Sequence, residues 1–395
     1  MTDARVAGVG LTHFGVHPER TSRDLFAEAG LAALDDAGVA REDVAAVHYG
    51  NFMGELSEHQ GHQGPLVAEA LGLDVPATRY ESACASSGVA LRRAVRDVRN
   101  GEADVVVVGG AERMNNLETA ESTDALAIAA DGLYEVRAGM TFPGAYALMA
   151  ASYFEQFGGS REDLAHIAVK NHANAVDNDR AQYQQAITVA DALESPPVAE
   201  PLHLYDACPV TDGASALVLV SESYADTHDV SAPVAVTGTG QGGDKMALQD
   251  RQNMATSPAA TDAATEAYAD AGVSADDVDV AEVHDCFTIA EVMATESLGF
   301  FDPGAGITAA REGVTTKDGR LPVNLSGGLK AKGHPVGATG TSQVAELTRL
   351  LRGDHVNSEH VADAQTAVAH NAGGTVASAV VHVLETVADT EADAA

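Results

Sequence analysis

Three cysteines, at 84, 208 and 286, and two histidines, at 284 and 334, are the residues whose types and neighbours suggest covalent chemistry. Cys84 lies in Glu81-Ser-Ala-Cys-Ala-Ser-Ser-Gly88, directly after a predicted strand and at the start of a predicted helix. Backbone N–H groups and the dipole at a helix start favour an anion. A thiolate there is expected to be stabilised, its pKa falling below the ordinary ~8.5 of a free thiol, which makes a nucleophile near neutral pH. The plainer alternative is a small buried cysteine filling a tight turn.

His334 stands in the glycine-rich tract Ser326-Gly-Gly-Leu-Lys-Ala-Lys-Gly-His-Pro-Val-Gly-Ala-Thr-Gly340, just ahead of another predicted helix. From that place an imidazole can take a thiol proton and later donate a hydrogen bond to a thioester oxygen. His284, Asp285, Cys286 and Phe287 follow a predicted strand, and the carboxyl ends of parallel strands are where α/β sites assemble. A thiol at that edge could shuttle a carbon-bound proton. Alternatively, His284 and Asp285 simply share a surface hydrogen bond.

The elements that position these residues are duplicated. Asp36-Ala-Gly-Val-Ala-Arg-Glu-Asp-Val-Ala-Ala-Val-His48 recurs as Asp270-Ala-Gly-Val-Ser-Ala-Asp-Asp-Val-Asp-Val-Ala-Glu-Val-His284 with two residues inserted, each copy reading as helix end, turn and strand. Gly88–Gly101 and Gly340–Gly353 likewise share length and helical apolar spacing, each after a small-residue loop; such self-similarity marks an internal repeat. If so, the helices after Cys84 and His334 could face one another. Short apolar strands such as Asp104–Val108 alternate with helices, which predicts an α/β fold of two duplicated halves with stacked mixed sheets.

The expected boundaries are residues 1–118 plus about 200–230 for the first half, 119–199 for an inserted loop or cap region, and 231–395 for the second half. The insertion, with Gly139, Met140, Pro143 and Gly144 read as loop and a helix through Tyr153, is expected to cover a site. Ala214–Val220 then returns to the first half as a strand.

Composition narrows the class. The formal net charge is −35, from 58 acidic and 23 basic residues, a field that repels nucleic acid and anionic membranes. Scarce lysine, plentiful Asp and Ala and the absence of Trp point to high salt, where such repulsion is screened. No apolar run approaches the ~20 residues of a membrane span. The N-terminus, Met-Thr-Asp-Ala-Arg, shows no export signal, so a cytoplasmic location is expected. Three widely spaced cysteines form neither a disulfide framework nor a zinc motif, and no metal is expected.

Taken together, the three segments resemble the thiolase family over essentially the whole chain. Gly333-His334-Pro335-Val336-Gly337-Ala338-Thr339-Gly340 is similar to the thiolase Gly-His-Pro signature, and Ser82–Gly88 to its nucleophile loop. Ketoacyl-carrier-protein synthases share that fold but carry His-Gly-Thr-Gly-Thr instead. The chain departs from biosynthetic thiolases in having His284-Asp-Cys-Phe287 for their Asn-Glu-Ala-Phe, and Asn371-Ala-Gly-Gly-Thr375 for their Cys-x-Gly-Gly-Gly. Both changes resemble sterol-carrier-protein-2-type and archaeal thiolases, in which the second reactive cysteine is that of the His-Asp-Cys-Phe segment.

The resemblance implies that His334 deprotonates Cys84, whose thiolate is acetylated by acetyl-CoA, and that Cys286 removes the α-proton of a second acetyl-CoA to give acetoacetyl-CoA, or the reverse thiolysis. The enolate oxygen would meet His334 and a water placed by His284. The amides of Cys84 and Gly373, the latter after a predicted strand at Thr366–Ala369, would bind the tetrahedral oxyanion. Ser326, Gly327, Lys330 and Lys332 are the expected contacts to CoA, the lysines through its phosphates, while Cys208, which fits neither reactive motif, reads as structural. Coenzyme A thioesters are substrates on this reading, with no permanently bound cofactor. The expected assembly is a homodimer or homotetramer, with a small zinc-ribbon/OB-fold acyl-CoA-binding protein as a further partner. The rivals are a degradative thiolase for longer chains and a non-catalytic acyl-CoA-binding scaffold.

Overall fold

The computed structural model of the protein describes residues 3–387; positions 1–2 and 388–395, the outer ends of the two halves, lie outside the described residues. Among the described residues eleven strands form: β1 Ala4–Leu11, β2 Ala46–Gly50, β3 Ala77–Tyr80, β4 Val105–Glu112, β5 Pro197–Ala199, β6 Leu202–His203, β7 Gly213–Ser221, β8 Val234–Gly243, β9 Val280–Glu282, β10 Thr366–Gly373 and β11 Ser378–Thr386. β5 and β6 make a separate pair, and the rest join in the order β3-β2-β4-β7-β1-β8-β11-β10-β9.

That order is a duplication. In the first half β1 and β4 flank β7 antiparallel, and β2 lies parallel to β4. In the second, β8 and β10 flank β11 antiparallel, and β9 lies parallel to β10. The half-sheets meet where β1 and β8 pair through Ala4↔Val236, Arg5↔Ala235 and Val6↔Val234. Two stacked mixed sheets are therefore hydrogen-bonded edge to edge into one. Runs such as Val105–Val108, buried on both faces, are what doubly covered central strands require.

The repeat also governs helix packing. A Cβ on Gly8 or Gly10 would lie 2.1 and 1.9 Å from carbonyl oxygens of the Ser22–Ala37 helix, and one on Gly238 or Gly240 would lie 2.2 and 2.0 Å from those of the Pro258–Ala271 helix. Glycine is what lets each outer helix sit on its strand. The other two repeated helices, Ser86–Arg99 and Thr339–Arg352, share one core: Ala90, Leu91, Val95 and Val98 pack with Val344, Leu347 and Leu350 among residues of β1, β4 and β8. Their starts touch, since a Cβ on Gly340 would fall 2.4 Å from the Gly88 nitrogen.

Between β4 and β7 the chain makes an excursion that is helical rather than loop-like, with helices Thr119–Ala127, Phe142–Phe157, Arg161–Ala175 and Val189–Glu194. Pro143 and Gly144, read as loop from sequence, belong to the first turn of the second of these. The Thr141 side chain caps that turn by accepting from the Gly144 amide, and proline costs nothing at a helix start. Among the described residues no helix is long and apolar enough to cross a membrane.

Candidate active site

Cys84 is held at a forced turn. Ala83 adopts φ 49, in the left-handed region, and Ser86 Oγ accepts from the Ser82 amide while donating to the Ala83 carbonyl at 2.6 Å, so the loop closes on itself before the Ser86–Arg99 helix. The touching helix starts bring His334 opposite. Cys84 Sγ and ring nitrogens of His284 and His334 lie within 4.8 Å of one another, with the imidazoles edge to face at 5.0 Å between centroids. A cavity of about 180 Å³ opens there, lined by Cys84, Cys286, His334, Phe142, Tyr146 and Phe287, among others. The four expected catalytic side chains are thus brought together.

Hydrogen bonds fix the tautomers. Thr339 donates its hydroxyl proton to the Pro335 carbonyl at 3.1 Å, so at 2.8 Å from His334 Nδ1 its oxygen accepts. In that arrangement the His334 proton sits on Nδ1, and Nε2 offers a lone pair. Asn371 Nδ2 donates to the Cys84 carbonyl at 3.0 Å and to His284 Nδ1 at 3.2 Å. The His284 proton accordingly sits on Nε2, a buried atom with no partner among the described residues. One imidazole is a base and its neighbour a donor waiting for an oxygen.

The electrostatics correct the simplest sequence argument. Burial pushes the Cys84 thiol up to about 12, opposed by hydrogen bonds from the amides of Gly374 and Cys84 itself, and burial depresses His334 to about 3. The helix start does not outweigh desolvation, so the resting pair is neutral thiol and neutral imidazole. Burial likewise holds Cys286 well above, and His284 well below, their ordinary values.

Other assignments shift. The amides at Cys84 Sγ are those of Gly374 and of Cys84 itself; Gly373 is the last residue of β10 and, with Gly374, Arg79, Glu81 and Ser82, lines an outer depression. Asp285 makes no surface bond to His284: it is fully buried and accepts from the Asn171 side chain and the Leu329 and Lys330 amides, anchoring the glycine-rich tract.

The expected CoA contacts are internal. Lys330 is 3% exposed, its ammonium donating to the Ala207 carbonyl at 2.6 Å, and Lys332 is 2% exposed, donating to Ser342 Oγ at 2.9 Å with the Glu346 carboxylate 3.5 Å away. Ser326 Oγ donates to Glu282, and Gly327 at φ 103 backs onto Ala175. Buried ammonium groups with internal acceptors are not free for phosphates. Cys208, read as structural, lines the cavity.

Sequence reasoning missed two residues. Glu112, fully buried at the end of β4, accepts from the Asn51 side chain and the Phe52, Met53 and Gly337 amides, tying the loop after β2 to the His334 tract. Tyr146, from the excursion, donates to the Gly374 carbonyl at 3.0 Å, hydrogen-bonds with Cys286 and stacks on Phe287. The only local signal for Glu112 is an acid closing an apolar strand; Tyr146 has none.

A nucleophilic thiol, an acceptor imidazole, a donor imidazole and a second thiol around a small apolar cavity define an acyl-transfer centre in a duplicated α/β fold. The chain belongs to the thiolase family: the Thiolase, N-terminal domain matches residues 4–223 and the Thiolase C-terminal domain-like unit residues 240–386. It is similar to the acetyl-CoA acetyltransferases of Methanothermobacter thermautotrophicus, at 42% identity over 97% of this chain and 99% of that protein, and of Methanocaldococcus jannaschii, at 39% over 97% and 99%. Human sterol carrier protein 2 is 30% identical over 93% of this chain and 69% of its own length. Among solved structures, a chain of the Ltp2-ChsH2(DUF35) aldolase superposes with a TM-score of 0.83 at 28% identity, covering 97% of this chain and 98% of that one.

Proposed function

We propose that the protein is an acetyl-CoA C-acetyltransferase, joining two acetyl-CoA to acetoacetyl-CoA and CoA or running the reverse thiolysis. The observation that carries this reading is the meeting of Cys84 Sγ with the ring nitrogens of His284 and His334 within 4.8 Å beside a cavity that Cys286 also lines.

Cys84 gives its proton to His334 Nε2 as Sγ attacks the acetyl-CoA carbonyl, with the Gly374 and Cys84 amides beside the developing oxyanion. The departing CoA sulfur takes the Cys286 proton, leaving Cys286 as a thiolate whose high pKa suits it to remove the α-proton of the next acetyl-CoA. His334, now protonated, and the Nε2–H of His284, unpartnered among the described residues, hold the enolate oxygen. The enolate carbon attacks acetyl-Cys84, the C–S bond breaks, and Cys84 recovers its proton from His334. Each cysteine ends protonated, and the protons balance.

The cavity of about 180 Å³ favours a short acyl group, being smaller than the ~300–1,000 Å³ of pockets for drug-sized ligands. A homodimer is supported by β3, an edge strand that among the described residues pairs only with β2, and a small acyl-CoA-binding partner by the two-component name of the aldolase neighbour. The high-salt reading sets the assay buffer. An acyl-CoA panel run in both directions in high-potassium buffer tests the proposal: acetyl and acetoacetyl thioesters should turn over fastest, and preference for long chains would replace it with the degradative reading.

A further inference from the structure

Ala207 and Phe287 form an antiparallel bridge, and one step along it the Cys208 amide donates to the Cys286 carbonyl at 2.9 Å. Cys208 and Cys286 are thus directly opposed residues on two antiparallel segments, with side chains on the same face, and both line the active-site cavity. Directly opposed residues on antiparallel strands hold their Cα atoms ~4.5–5.5 Å apart, inside the ~4.4–6.8 Å that a disulfide spans. Both are free thiols.

We propose that Cys208 and Cys286 are a thiol–disulfide pair, a modification site at which a peroxide reversibly closes the active-site cavity. That closure blocks turnover rests on the reading of Cys286 as the α-proton base; the pairing itself does not.

The two thiols are unequally placed. Cys286 is buried, whereas Cys208 is partly exposed and also lines a second cavity of about 240 Å³ with His172, Tyr183, Tyr205 and Lys330. Cys208 is therefore the thiol an oxidant reaches first. Burial pushes the Cys208 thiol up to about 12, opposed by the Lys330 ammonium, which binds the adjoining Ala207 carbonyl at 2.6 Å. The Cys208 sulfur attacks one peroxide oxygen, the O–O bond breaks, and the departing oxygen takes the Cys208 thiol proton and leaves as water, so that Cys208 becomes a sulfenic acid. Cys286 sulfur then attacks Cys208 sulfur, the S–O bond breaks, and hydroxide leaves as water with the Cys286 proton. Sulfur is oxidised by two electrons, peroxide is reduced to two waters, and a small dithiol reverses the change.

The test treats the whole protein with hydrogen peroxide, then measures intact mass, disulfide-mapped peptides and condensation rate before and after dithiothreitol. The expected product is lighter by two hydrogens, with the 208 and 286 peptides linked, and condensation lowered by the ~100-fold or more that loss of a general base costs, recovering on reduction. Cys208→Ala, scored against its own untreated rate, should form no linkage and lose the part of the inactivation that dithiothreitol reverses. A disulfide through Cys84, or equal reversible loss in Cys208→Ala, would overturn the proposal. A mapped 208–286 disulfide with undiminished condensation would uphold the pair and overturn instead the role given to Cys286.

Discussion

His334 Nδ1 lies 2.8 Å from the Thr339 hydroxyl oxygen, five residues on in the same tract, and with the hydroxyl proton on the Pro335 carbonyl, 3.1 Å away, that oxygen accepts from Nδ1. The contact holds Nε2 ready to take the Cys84 proton. Thr339→Val removes the acceptor and frees the ring to exchange tautomers. Acetylation of Cys84 should slow by ~10- to 100-fold, less than the ~10²–10⁴-fold of losing a base outright, while Thr339→Ser restores it. Stopped-flow release of CoA measures this; an unchanged rate in Thr339→Val would mean that another contact sets the tautomer.

The two reactive cysteines divide by role. Cys286→Ser should still accept an acetyl group yet fail to exchange the α-protons of bound acetyl-CoA with deuterated solvent, because a serine hydroxyl is a far poorer base than a thiolate. Condensation should fall by ~10²–10⁴-fold with acetylation nearly intact. Condensation at the wild-type rate would remove Cys286 from the mechanism.

Burial makes a prediction about pH. With the Cys84 thiol at about 12 and His334 at about 3, neither group titrates between pH 6 and 9, so the reactive thiolate fraction rises steadily with pH. Alkylation of Cys84 by iodoacetamide should accelerate ~tenfold per pH unit across that range, since only the thiolate reacts. A plateau below pH 8 would reveal the thiolate–imidazolium pair that the helix-start argument implies.

Much of this was legible in the chain. Cys84, His284, Cys286 and His334 stand out because each lies in a tract whose residue types are chemically constrained, and the halves because Asp36–His48 and Asp270–His284 repeat along one chain. What was not legible depends on residues far apart in sequence. Cys84 is desolvated by packing that no local pattern records. Gly374 rather than Gly373 reaches its sulfur because β10 runs four residues past the predicted end at Ala369. Cys208 looks inert until the chain folds beside Cys286. Lys332 reads as a phosphate contact because its carboxylate partner, Glu346, lies inside the next helix, out of sight of the local sequence.

That last contact carries a stability prediction. Lys332 and Glu346 are both buried; Arg349, 3.3 Å from Glu346, remains when Lys332 is lost, so the cost should fall below the ~3–5 kcal/mol of leaving a buried charge wholly unpaired. Lys332→Met should lower the midpoint of denaturant unfolding by a corresponding amount and leave the KM for CoA in thiolysis unchanged. An unaltered midpoint with a raised KM would return Lys332 to the phosphate-binding role that the sequence suggests.

The most direct test of the acyl-enzyme is the site of acetylation. Protein mixed with acetyl-CoA and quenched in acid should gain one acetyl group by intact mass, and peptide mapping should place it on Cys84, with none in Cys84→Ala. Acetyl found on Cys208 or Cys286, or persisting in Cys84→Ala, would contradict the mechanism at its first step.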